Sequence, residues 1–93
     1  MVESELIAQN ERWRVRYSPA AGYALTYVLG SMTVYLRTPV EREVFVKSLE
    51  QMRDYLVQSN EPEGWLGSEY LWIRMSLEDV VFLIDTLKKE VVQ

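Results

Sequence analysis

The chain contains no cysteine and no histidine. Without cysteine there is no disulfide, no thiolate metal site and no thiol nucleophile, which suits a reducing compartment. Without histidine, the commonest general base and the commonest metal ligand are both missing. Catalysis would fall to carboxylates, lysine, serine or tyrosine. Long apolar runs are missing too. The longest, Val80 to Ile84, is far too short to cross a bilayer, so no membrane partner is expected. There is no phosphate-binding glycine loop, Asp-rich calcium loop or Gly-x-Ser-x-Gly elbow. No cofactor, metal site or catalytic residue is therefore expected, and a non-enzymatic protein is. The opening Met1-Val2-Glu3-Ser4-Glu5 lacks the basic, then apolar, then small-residue order of a signal peptide. A cytoplasmic location is the expectation.

What is present suffices for a fold. The 93 residues are 48% apolar and 12% aromatic, which argues against disorder and for a single domain over residues 1–93. That apolar share is more than one small core readily hides, which favours self-association. The net charge of −4 argues against non-specific duplex DNA binding. The charge is uneven, however. Residues 1–40 hold four basic residues against three acids, and residues 41–93 hold six against eleven.

Residues 1–10 are polar and non-periodic, read as a frayed segment or a short helix. Arg12 to Tyr17 alternates strictly, Trp13, Val15 and Tyr17 against Arg12, Arg14 and Arg16, which predicts a strand with one apolar and one charged face. Ser18-Pro19-Ala20-Ala21-Gly22 reads as a turn. Tyr23 to Leu29 and Met32 to Arg37 read as two further strands joined by a two-residue turn at Gly30-Ser31. That turn would set Leu29 opposite Met32, Tyr27 opposite Val34 and Leu25 opposite Leu36. Thr38-Pro39-Val40-Glu41 is a capping box with proline at the first helical position. The helix should run to about Ser59 and bury Val40, Val44, Phe45, Leu49, Met52 and Leu56. Pro62 to Ser68 reads as a loop presenting Trp65, and Tyr70 to Met75 as a fourth strand. Ser76 caps a second helix with Leu77, Val80, Val81, Ile84, Leu87 and Val91 as its buried stripe. The expected order is β-β-β-α-β-α. This is an α+β two-layer sandwich in which an antiparallel meander and a fourth strand carry two helices on one face.

The opposite sheet face is the candidate working surface. It would carry Arg12, Arg14, Arg16, Tyr35 and Arg37, with Tyr70, Trp72 and Arg74 from the fourth strand. Guanidinium groups beside rings bind carboxylate or phosphate, stack on bases, and make interface hot spots. The same residues also serve simply to keep an open sheet face solvated. Trp65 is either an anchor for a partner or a ring folded over the edge of the core. The acid pairs Glu41/Glu43, Glu61/Glu63 and Glu78/Asp79 have simpler duties at helix starts and in a polar loop. The expectation is an interaction or regulatory module with a protein partner, as a homodimer. Single-stranded nucleic acid is the alternative ligand for the same face.

Overall fold

The computed structural model describes residues 4–30, 32–67 and 72–89. The chain is of the α+β class, with strands β1 (Glu5–Gln9), β2 (Trp13–Ser18), β3 (Gly22–Tyr27) and β4 (Met32–Leu36), helix α1 (Pro39–Ser59), strands β5 (Glu63–Gly67) and β6 (Trp72–Ser76), and helix α2 (Leu77–Lys88). β1 to β4 form one antiparallel sheet in chain order, and β5 and β6 form a second. The backbone groups into two compact units, Met1–Glu43 and Val44–Gln93.

In the first unit, β2 buries Trp13 and Val15 completely and leaves Arg14 and Arg16 exposed. Period-two alternation therefore sorts this strand as its sequence predicts. The buried face continues through Tyr23, Leu25 and Leu36. The N-terminal residues are the first correction, because Glu5–Gln9 is a strand rather than a frayed segment or a helix. Asn10 makes the corner. Its Oδ1 accepts from the N–H groups of Arg12 at 2.9 Å and Trp13 at 2.8 Å, and its own N–H donates to the Trp13 carbonyl at 2.9 Å. That is a side-chain-closed turn, a use to which asparagine is suited.

The second correction concerns the β3–β4 hairpin. Tyr27 lies opposite Met32, Leu25 opposite Val34 and Tyr23 opposite Leu36. Each expected pair is displaced by two residues, and Val28 and Leu29 lie in the connection rather than in the ladder. Val28 still donates its N–H to the Arg12 carbonyl at 2.8 Å. A slip of two preserves which side chains share a face, whereas a slip of one would exchange them. The expected faces therefore survive an incorrect register.

Helix α1 begins on the capping box. Thr38 Oγ1 accepts from the Glu41 N–H at 3.1 Å, and Glu41 Oε1 accepts from the Arg37 N–H at 3.2 Å. Asn60, with φ of 57°, ends the helix in the left-handed conformation that asparagine tolerates. Val46, Leu49, Met52 and Leu56 are buried, whereas Val40 and Val44 are exposed, against expectation. At 3.6 residues per turn those two valines point roughly opposite to Leu49. Residues 63–67, expected to be a loop, form β5. They pair antiparallel with β6, setting Gly64 against Met75 and Trp65 against Arg74. The expected fourth strand is thus β6, and its partner is β5 instead of the meander. Ser76 caps α2 by accepting the Asp79 N–H at 3.2 Å. This helix buries Val80, Leu83, Ile84 and Leu87, adding Leu83 to the expected stripe, and leaves Val81 exposed. Val91 lies outside the described residues. Among the described residues no helix is long and apolar enough to cross a membrane.

Candidate functional site

Directly opposed residues of antiparallel strands share a face, so the register writes out the solvent side of the four-stranded sheet row by row. One row runs Gln9, Arg14, Thr26, Thr33, and the next runs Leu6, Arg16, Ala24, Tyr35. A bulge between Leu6 and Ala8 makes the first row possible. One extra residue on β1 shifts its phase, so Leu6 joins the arginine face while Ala8 lies opposite Val15. Glu5, opposite Tyr17, belongs to the other face. Among the described residues, this outward face therefore carries arginine and no carboxylate.

The face is open. Arg14, Arg16 and Arg37 are exposed, and Leu6 and Tyr35 retain 42% and 55% of their surface. Neither Arg14 nor Arg16 forms an ion pair among the described residues. The Arg37 guanidinium lies 5.5 Å from the centre of the Tyr35 ring, within cation–π range. Thr26 and Thr33 join hydroxyls at 3.1 Å across the floor. Arg12 differs from its neighbours. It precedes β2, is half-buried, and has its N–H in the Asn10 turn.

A depression of about 330 Å3 opens in this face, with Arg16 and Tyr35 on its sides and Ala24, Thr26, Thr33 and Ser18 among its floor residues. Ser18 was not among the predicted site residues. It is only 3% exposed, and its Oγ has no hydrogen-bond partner. Its sequence signal is weak, because it reads as the first residue of the turn. Its place opposite Gly22 is set by β2–β3 pairing.

The remaining predicted residues gather elsewhere. Trp65 and Arg74 are direct cross-strand partners in the β5–β6 sheet, with the guanidinium 4.9 Å from the indole centre. Arg74 Nε also lies 3.3 Å from Glu63 Oε2. Trp65 thus stands on a strand, half-exposed beside its arginine, rather than on a loop. Tyr70 and the side chain of Trp72 lie outside the described part of the structure. The predicted set is therefore divided between two sheets, with Arg14, Arg16, Tyr35 and Arg37 together on the first.

Two further arrangements escaped sequence reading. The Arg42 guanidinium lies 5.7 Å from the Tyr23 ring, which is tilted against Tyr17 at 4.9 Å. In the second unit a groove of about 360 Å3 runs between α1 and β5, bounded by Met52, Tyr55, Gly64 and Trp65. Each joins residues far apart in sequence. Among the described residues no three acidic side chains converge as a metal site would require. No protein-family model, curated protein or solved structure matches the chain.

Proposed function

We propose that the chain is a non-enzymatic interaction module that binds a protein partner through the outward face of its four-stranded sheet. One observation carries the reading. In a chain of net charge −4, this face sets Arg14, Arg16 and Arg37 beside Tyr35 and Leu6, with no carboxylate among its described residues. A face serving only to stay solvated would gain from mixed charge. Arginine, tyrosine and an exposed leucine together resemble the composition of an interface centre.

The charge also constrains the partner. Pairing this face with its own copy would bring guanidinium against guanidinium, and like charges across an interface are costly. An acidic partner surface complements it better than a second copy does. Affinity capture from the native host, with wild type beside the Arg14→Glu/Arg16→Glu double variant, tests this. The expected result is a set of acidic partners retained by the wild type and lost by the variant, with stability changed by no more than ~0.5 kcal/mol. Identical retention by both proteins refutes the reading. Sedimentation tests the homodimer: a monomer at every concentration removes it. Tryptophan quenching by an oligonucleotide that fades with rising salt would instead support nucleic acid.

A further inference from the structure

We infer that the depression between Arg16 and Tyr35 is a binding site for a single anionic group, a phosphate monoester or a carboxylate, carried on a flat apolar body. This rests on the outward sheet face being the working surface and specifies what that surface takes.

The site follows from the register. Arg16, Ala24 and Tyr35 are consecutive partners across three strands, so the two walls stand two strand spacings apart, ~9.5 Å at the backbone. Ala24 between them is too small to fill the gap. Beyond it, the floor stays low because Gly22 cannot carry a side chain. A Cβ there would sit 2.3 Å from the Leu36 carbonyl oxygen. The walls differ in kind. Arg16 offers a planar fork of N–H donors suited to two oxygens of one anion. Tyr35, with the Arg37 guanidinium 5.5 Å from its ring centre, offers a flat surface backed by positive charge.

The floor supplies donors. Ser18 is the independent observation, a hydroxyl buried in the lining with no hydrogen-bond partner. Buried hydroxyls are normally satisfied; this oxygen is sealed from solvent, so a ligand oxygen would satisfy it only by displacing the side chains that cover it. Thr26 and Thr33 contribute another donor. Each hydroxyl has one hydrogen, and their mutual bond at 3.1 Å uses only one of the two. Among the described residues, no aspartate or glutamate lines the depression. Its charged and hydroxyl groups therefore favour a negative ligand, and the ring with Ala24 favours a flat apolar one.

The test is an amide NMR titration of the full chain with phenyl phosphate, benzoate, inorganic phosphate and benzyl alcohol, at matched ionic strength. Phenyl phosphate or benzoate should give saturable shifts at Arg16, Ser18, Ala24, Thr26, Thr33 and Tyr35, with Kd on the order of 1–10 mM for so small a ligand. Benzyl alcohol should give none. Whichever anion binds more tightly names the group. Arg16→Gln should weaken binding roughly tenfold or more, and Arg16→Lys, which keeps the charge but loses the fork, should fall between. Ser18→Ala should weaken it by roughly threefold or more while leaving the surface charge unchanged. Shifts spread evenly over all arginines, shifts matched by added chloride, or shifts retained in Arg16→Gln would overturn the site. If no anion binds while Arg14→Glu/Arg16→Glu still abolishes partner capture, the site falls and the interaction face stands. If anions bind but capture is unaffected by the double variant, the site stands as a small-ligand pocket and the interaction face falls.

Discussion

Replacing Gly22 with alanine should destabilise the chain by about 3 kcal/mol, and the reason is local. Gly22 has φ of 79°, where a Cβ costs an L residue roughly 1–2 kcal/mol. The new Cβ would lie 2.3 Å from the Leu36 carbonyl oxygen and 3.0 Å from the Arg37 Cα. Both neighbours are backbone, so no rotamer change relieves the overlap, and the end of β4 must move outward by about 1 Å to reach ordinary van der Waals distance. That movement pulls on the Tyr23–Leu36 pair at the end of the ladder, where each weakened hydrogen bond costs roughly 0.5–1.5 kcal/mol. The total, roughly 2–5 kcal/mol, is a large part of a typical domain stability of about 5–15 kcal/mol. The assay is urea unfolding followed by tryptophan fluorescence, to which the fully buried Trp13 contributes. With an m-value near ~1.5 kcal/mol/M, the midpoint should fall by roughly 2 M. Gly64→Ala is the control. Its Cβ would meet Leu56 Cδ2 and Met52 Sδ, both at 3.3 Å. These are ends of movable side chains, so the change should stay within about 1 kcal/mol. A Gly22→Ala midpoint within about 0.3 M of wild type, or a larger loss in Gly64→Ala, would refute the distinction between backbone and side-chain overlap.

Two further perturbations test the packing and the caps. Leu49→Ala empties a fully buried position on α1 and should cost about 2–5 kcal/mol, read as a lower urea midpoint with unchanged m-value. A loss under about 1 kcal/mol would show that α1 buries a different stripe. Ser76→Ala removes the acceptor of the Asp79 N–H at 3.2 Å and should cost about 1 kcal/mol in thermal or chemical unfolding. No measurable loss would mean that the N–H finds an equal partner elsewhere.

Several elements were legible because their information is short-ranged. Trp13-Arg14-Val15-Arg16 encodes its two faces in four consecutive residues, and the structure buries the first and third and exposes the second and fourth. The capping residues Thr38 with Glu41, and Ser76, act within one helical turn, so both helix starts could be read directly. β1 was less legible. Glu5–Gln9 has no clean alternation because the bulge at Ile7 breaks its period. The signal available was Asn10, whose side chain closes the corner before Trp13. β5 was hidden by its glycines, which suggest a loop until Gly64 and Gly67 are seen opposite Met75 and Trp72.

The sequence alone therefore determined the two faces of β2, β3 and β4, the starts of the helices and the placement of Arg14 and Arg16 on one face. Each depends on neighbours within about four residues, where backbone geometry leaves few choices. Tertiary structure decided the register of β3 with β4, the pairing of β6 with β5, and the meeting of Arg16, Ser18 and Tyr35 around Ala24. A two-residue slip leaves every side chain on its own face, so the pattern of polar and apolar residues cannot detect it. Strand partners are chosen by contacts between distant segments. Only that choice turned a line of separate arginines into a depression with walls and a floor.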